Sequence, residues 1–498
     1  MTMAFPSQPR ALQMPELLHT IFQFSEPEDN YASARVCKTW SNEALAILWR
    51  SVMFDVVLDL LGPTTPSAAG DLVFVRCPQP EDWSRLDHYA WRIHHLDVPW
   101  QPYHPSVFQH IVSLRSRGIL FPNLEALDFN NNDLGNVHLF THAKLKTLIL
   151  QSADDVGEPL HTKTLLLHLP LETYHLHTLN LGFLLIPEEV SHLDLASVLQ
   201  GLPALKTLWL PGDRLVPQIA NTLAWHPVLE CLVSTVVTHA NTTTWDVFST
   251  SLELDSYPSL KQLEIAVPLD RAALILSQTH RPRCLVLFAV KCYWSEEFVD
   301  SYARFIDVIS SHYPKLETLF VENNDVYQDP PNLQQMTFLE LRPIMRLSAL
   351  RQLVLTHPLQ LDLDLGQITE IAKALPSIES LFLNESPRIL SVPNLTMTAL
   401  VTLISLCPKL EVLGLYVNAS VTMPPITNDR TLASLRLLSV GRSSIVDARA
   451  VARFLKSILP KSCALCSNTT PHRAPEDYVY SRRWDWVEKK RSTKESRY

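Results

Sequence analysis

One short phrase recurs through most of this chain and limits what it can fold into. Its form is apolar-x-x-apolar-x-apolar, often preceded by proline. It first appears as Ile93-His-His-Leu96-Asp-Val98, then as Leu124-Glu-Ala-Leu127-Asp-Phe129 and Leu145-Lys-Thr-Leu148-Ile-Leu150. It returns from Leu176, Leu205, Leu229, Leu260, Leu316, Leu350, Ile378, Leu410 and Leu435. A degraded copy, Cys284-Leu-Val-Leu287-Phe-Ala289, sits near the middle of the one long gap. The starts follow one another at about 28 residues on average, a period of stacked supersecondary units and not of a single globular core. In each unit the first, fourth and sixth residues are expected to face the core. The third, fifth and seventh are expected to project outward from a short strand. Windows between strands, such as Ala399 to Cys407 and Glu370 to Leu375, read as amphipathic helices stopped by Pro408 and Pro376. A strand and a helix alone cannot bury an apolar face, so the units are expected to stack into one curved solenoid.

The phrase resembles the leucine-rich repeat, whose signature ends in Asn or Cys at the ninth position. Asn132, Asn324 and Asn418 hold that place in their units. The resemblance implies an α/β fold with a curved parallel sheet and helices on the convex side. It also implies that these asparagines bond the backbone of the turn leaving the strand. Composition agrees with few tight turns: 82 leucines stand against 11 glycines, no two of them closer than eight residues. A dinucleotide fingerprint, a P-loop and a nucleophile elbow all need closely spaced glycines, because the backbone must turn sharply or approach a phosphate or oxyanion. None of the three occurs here.

Residues 12–54 are of a different kind. Met14-Pro15-Glu16-Leu17-Leu18-His19-Thr20-Ile21-Phe22 places proline before an acidic first turn and apolar residues at helical spacing. After a break at Glu26 to Asp29, two more short helices are expected, the last closing on Ala44, Ile47, Leu48 and Trp49. Three helices of this length make a poor core alone, which suits either a module completed by a partner chain or a cap for the solenoid. The strings Pro15-Glu16-Leu17-Leu18-x-x-Ile21-Phe22, Val36-Cys37-Lys38-x-Trp40 and Ala44-x-x-x-Leu48-Trp49-Arg50 resemble the F-box motif. That resemblance implies docking onto a Skp-type adaptor and, through it, a cullin–RING ubiquitin ligase. By position the adaptor contacts would be Pro15, Leu17, Leu18, Ile21, Val36, Trp40, Leu48 and Trp49. One departure stands out: the family usually has two leucines where this chain has Asn30-Tyr31. The stretch from Phe74 to Ile93 resembles a connector of fungal F-box proteins, and Gly62 to Gly70 reads as a loop or linker. The expected organisation is a disordered 1–11, the F-box-like 12–54, a connector 55–92, about thirteen irregular repeats over 93–460, and a cap with a charged tail over 461–498.

Net charge is −9, and the tail after residue 472 is basic, so the body is more acidic still. Such a body would repel a polyphosphate, and nucleic acid is not expected as a partner. Neither a signal peptide nor a membrane span is expected, and eight scattered cysteines are too sparse for a disulfide framework, so a cytoplasmic or nuclear location is expected. Asp362-Leu-Asp364 reads as a solvated strand edge. Cys463-x-x-Cys466 near His472 has half the spacing of a zinc site, and no metal is expected there. Lys489-Lys490-Arg491 reads as a solvated terminus before a nuclear signal, while Trp484 and Trp486 are left either packed on the last repeat or exposed.

The favoured binding surface is the concave face, with Trp209, Phe320, Glu322, Phe382, Asn384 and Tyr416 as its expected outward residues. No catalytic residue or cofactor is assigned. The leading expectation is a substrate receptor of an SCF-type ubiquitin ligase whose solenoid holds an unknown protein substrate. The alternative is a leucine-rich scaffold or regulator outside any ligase. A third class, a GTPase-activating solenoid, would act through Asn132 or Asn324.

Overall fold

In a computed structural model of the 498-residue chain, the described residues are 10–114, 118–131, 134–152, 159–235, 256–277, 283–293, 299–324, 334–421, 423, 434–467 and 475–492. They divide into two compact units, 1–229 and 230–498.

The first unit opens on three helices, α1 (Pro15–Gln23), α2 (Pro27–Ser33) and α3 (Lys38–Leu48). Proline at the first position of α1 and of α2 fixes the helical φ where no N–H is needed. A parallel sheet follows in strict chain order: Ser51–Met53, His95–Val98, Ala126–Asn130, Thr147–Gln151, Thr178–Phe183 and Thr207–Pro211. The third residue of every repeat stands beside the third residue of the next, from Ser51 and His95 through Ala126 and Thr147 to Thr178 and Thr207. First, fourth and sixth residues from Ile93 to Leu210 are buried. Leucine phasing thus sets the register, since a one-residue slip would turn each strand's apolar set to solvent.

The sheet begins one strand ahead of the span read from sequence. Ser51–Met53 lies inside Trp49-x-x-Val52-x-Phe54, which has the repeat's own form, and Phe54 is buried. The segment 55–92, read as a connector, is folded. A helix over Phe54–Leu61 leads to an antiparallel hairpin of Thr64–Pro66 and Leu72–Phe74, then to a helix over Pro80–Ala90. The Gly62–Gly70 stretch therefore carries one hairpin strand. Asp82 fixes the last helix start: it accepts from the Gln79 backbone N–H at 2.8 Å and from both terminal nitrogens of Arg76. The Arg76 guanidinium, then the Gln79 N–H, pull its carboxyl down to about 2.

Among its described residues the second unit holds nine parallel strands, from Cys231–Thr235 to Ala464–Cys466, again in chain order. Between them run helices such as Val299–His312, Leu365–Ala374, Met397–Leu406 and Ala448–Ile458. One repeat is out of step with the sequence reading. Leu263 pairs with Phe288, which sets the core phrase at Leu285-x-x-Phe288-x-Val290, one residue beyond Cys284. Those three residues are buried and Cys284 is exposed. Burial chose the better apolar set, and the copy that looked degraded is complete.

The stack of parallel strands backed by helices is a leucine-rich-repeat-like α/β architecture in each unit. The helix Pro475–Ser492 closes the second: Trp484 and Val487 are buried against it, and Trp484 Nε1–H donates to the Ser443 carbonyl at 2.8 Å. That decides the alternative left open for Trp484; Trp486 stays half-buried, under Lys490.

Candidate interaction surfaces

The three N-terminal helices share a core of their own. Leu18, Phe22 and Ala44 are buried together, with Leu12, Ala34, Trp40 and Ile47 packed around them. The Trp40 ring meets Phe22 edge-on at 5.5 Å, and its Nε1–H donates to the Leu12 carbonyl at 3.0 Å. Asn30 is buried, and its amide N–H donates to the Phe22 carbonyl at 2.9 Å, so it ties α2 to the end of α1. The Asn30-Tyr31 departure thus has a structural use at its first residue, while Tyr31 faces out.

Of the eight residues carried over by resemblance, four face solvent. Leu17 is 42% exposed, Ile21 46% and Val36 54%, and Pro15 is exposed beside them. Phe24, which the motif did not single out, is 85% exposed at the end of α1. Leu18 corrects the expectation: it is fully buried among the three helices, because helical spacing puts it with Phe22 on the inner face. Trp40 is an internal clamp. Leu48 and Trp49 are half-buried, and the Trp49 ring stacks on Tyr89 at 4.3 Å.

On the strand face of the first unit Trp209, and on that of the second Phe320, Glu322 and Phe382, project outward and are half-buried. Phe382 lies across Gly414, where an added Cβ would sit 2.2 Å from its ring. Asn384 and Tyr416 are not on that face and correct the expectation. Asn384 is 1% exposed and Tyr416 7%. Their strands end at Leu383 and Leu415, so the alternation that would turn a seventh residue outward has already stopped. Asn384 takes a left-handed φ of 49° and bridges two turns, accepting from the His357 N–H at 2.9 Å and donating to the Leu359 carbonyl at 2.7 Å. The Tyr416 hydroxyl donates to the Ser391 carbonyl at 2.8 Å, beneath the loop that follows Asn384.

These strand-exit turns also bury His357, whose ring lies 5.4 Å from Tyr302. Desolvation pushes the imidazole down to about 4. The unfolded value is about 6.5, so the unfolded chain binds the proton first. Stability is accordingly full above pH 6.5 and falls as pH drops toward 4. Unfolding midpoints measured in urea from pH 7 to 4 should show this slope, and His357→Gln should flatten it.

Among the ninth-position asparagines, Asn418 behaves as the resemblance implies, accepting from the Ser420 backbone N–H at 2.9 Å. Asn132 lies outside the described residues, and Asn324 ends the strand Thr318–Asn324. Sequence reading missed Asn131, whose amide N–H donates to the Gln101 carbonyl of the preceding repeat at 2.8 Å. The Asp362/Asp364 pair is structural. Asp364 caps the helix Leu365–Ala374 by accepting from Gln367 N–H, and Asp362 accepts from the Asn394 amide at 2.7 Å. Asp364-x-x-Gln367 is a capping-box pattern visible in the sequence. Cys463 is buried and Cys466 exposed, and no group of three metal-ligating side chains occurs among the described residues; His472 lies outside them. No described helix is long and apolar enough to cross a membrane.

No protein-family model matches this chain, and no curated protein matches it. Among solved structures 82 chains match. One is the crystal structure of a TLR13–ssRNA13 complex, 14% identical, covering 80% of this chain with a TM-score of 0.26. This chain spans 64% of the length of that one.

Proposed function

We propose that this protein is a receptor subunit in which the N-terminal helices dock a Skp-type adaptor while the repeats hold a protein target for a cullin-based ubiquitin ligase. The observation that carries the reading is the split face of the helical module. Leu18, Phe22 and Ala44 satisfy an internal core, yet Leu17, Ile21, Phe24 and Val36 remain outward. A module this small gains most from a partner that covers such side chains. The strand face supports the second half, with Phe320 and Phe382 as aromatic anchors on a rigid scaffold. No covalent step is assigned to this chain, and the ligase would act by holding target and activated ubiquitin together.

The test is recovery of adaptor and cullin with the tagged protein. Leu17→Arg combined with Ile21→Arg should abolish that recovery by putting two charges on an apolar contact, while circular dichroism stays unchanged because both side chains face solvent. Leu18→Arg is the wrong probe, since it would unfold the module. Failure of the unaltered protein to recover an adaptor sinks the ligase reading and leaves a leucine-rich scaffold acting outside any ligase.

A further inference from the structure

The second residue of each repeat stands at the entry edge of its strand. In the first unit these residues form a continuous row. His94 N–H donates to the Arg50 carbonyl, Glu125 to His94, Lys146 to Glu125, His177 to Lys146 and Lys206 to His177. Neighbours in such a ladder are about 4.8 Å apart, so the six side chains span about 24 Å. Lys144 and His175 precede Lys146 and His177, and with Glu125 and Ala143 these four line a single depression in the edge.

Glu125 is the one carboxylate in this set, and Lys146 already holds it at 3.1 Å. Lys144 Nζ meets the Asn123 amide oxygen, a neutral partner. Arg50, Lys144 and Lys206 are exposed, so their charge faces open solvent.

The same repeat position is managed differently in the second unit. There the row runs Glu230, Lys261, Val286, Glu317, Arg351, Glu379, Glu411 and Arg436. Its cations are matched by carboxylates: Lys261 with Glu230 at 3.0 Å, Arg351 with Glu379 at 2.8 Å and Arg436 with Glu411 at 3.4 Å. One architecture therefore shows both a self-neutralised edge and an edge left cationic, in a chain whose net charge is −9.

We propose that the strand-entry edge of the first unit, centred on Lys144, Lys146, His175 and His177, binds an extended acidic polypeptide segment through its Asp and Glu carboxylates. The row's length matches about seven extended residues. Spaced carboxylates can straddle Glu125, whereas the unbroken charge of a nucleic acid would meet both Glu125 and the acidic body of the chain. The proposal rests on the repeats being a protein-binding scaffold and is independent of adaptor docking.

The test uses the full chain and a fluorescent peptide of about eight residues, rich in Asp and Glu, read by anisotropy at low salt. Its Asn/Gln counterpart and a single-stranded oligonucleotide are run beside it. The acidic peptide should bind, the neutral one should not, and Lys144→Glu with Lys146→Glu should weaken binding roughly ten- to a hundredfold. Binding should also fall steeply above about 100 mM salt. Circular dichroism and adaptor recovery should be unchanged, since both lysines are exposed and far in sequence from α1 to α3. Equal binding of the neutral peptide, tighter binding of the oligonucleotide, no binding at all, or a variant that binds like its parent would each overturn the proposal. Adaptor recovery reports separately on the ligase reading.

Discussion

Trp484→Ala is expected to lower the stability of the second unit by about 3–5 kcal/mol and to free its last helix. The indole is among the largest side chains fully buried in the protein, and its N–H meets the Ser443 carbonyl. Ser443 is itself fully buried: its hydroxyl accepts from the Val417 N–H at 2.8 Å and donates to the Leu415 carbonyl. Removing the indole therefore opens a cavity beside the Ser443 hydroxyl, whose bonds to the Val417 and Leu415 backbone tie the last repeats together. Arg483, which donates to the Ile445 carbonyl at 2.6 Å, would lose its footing with it. Urea unfolding gives the size of the loss. Limited proteolysis should show new cleavage within 475–492 that the parent resists. Trp484→Phe keeps most of the volume and loses the N–H, so it should cost about 1 kcal/mol. If the alanine and phenylalanine variants were equally affected, packing would not be the cause.

Gly441→Ala is expected to be nearly as damaging. Gly441 has a φ of 45°, and a Cβ there would lie 2.0 Å from the Glu385 carbonyl oxygen. That oxygen is main chain and accepts from the Arg442 N–H, so it cannot swing aside as a side chain would. The Arg442 guanidinium also holds the carbonyls of Pro387 and Arg388, which pins the same loop from its other end. Backbone strain and the clash together should cost several kcal/mol, about 3–5. Gly70 provides the control: its φ is 94° but open space surrounds it. Gly70→Ala should therefore show only the backbone part, about 1 kcal/mol. Thermal unfolding of the two variants separates the contributions.

The repeat phrase revealed most of the strands, because three residues in six must be apolar and in phase if a parallel sheet is to stack. It failed in three places for physical reasons. Ser51–Met53 is hidden because Trp49 and Phe54 also fall within the helical pattern of residues 12–54, although Trp49-x-x-Val52-x-Phe54 carries the phrase in full. At Cys284 two overlapping phrases compete, and only burial of Leu285, Phe288 and Val290 selects between them. Asn384 and Tyr416 lie just past their strands, where direction depends on the loop that covers them and not on alternation. Of the helical module, the inner and outer faces follow from spacing once the helix is in place. Leu18 against Leu17 is decided by which side meets Ala44, and that contact is tertiary. The cationic edge was in the sequence as the second letter of each phrase. It becomes visible only when Arg50 is recognised as the first rung.

The join between α3 and the first strand has a mechanical consequence. Helix α3 ends at Leu48 and Ser51 already pairs with His95, so only Trp49 and Arg50 intervene, and Trp49 is stacked on Tyr89. A flexible tether would let whatever the helices grip roam, at an effective concentration set by the tether's length. Here there is no tether. A partner seated on α1 to α3 would be carried at a fixed reach and angle from the strands of the first unit, like a tool on a rigid arm. Inserting a few glycines after Leu48 would convert that arm into a leash without touching either surface.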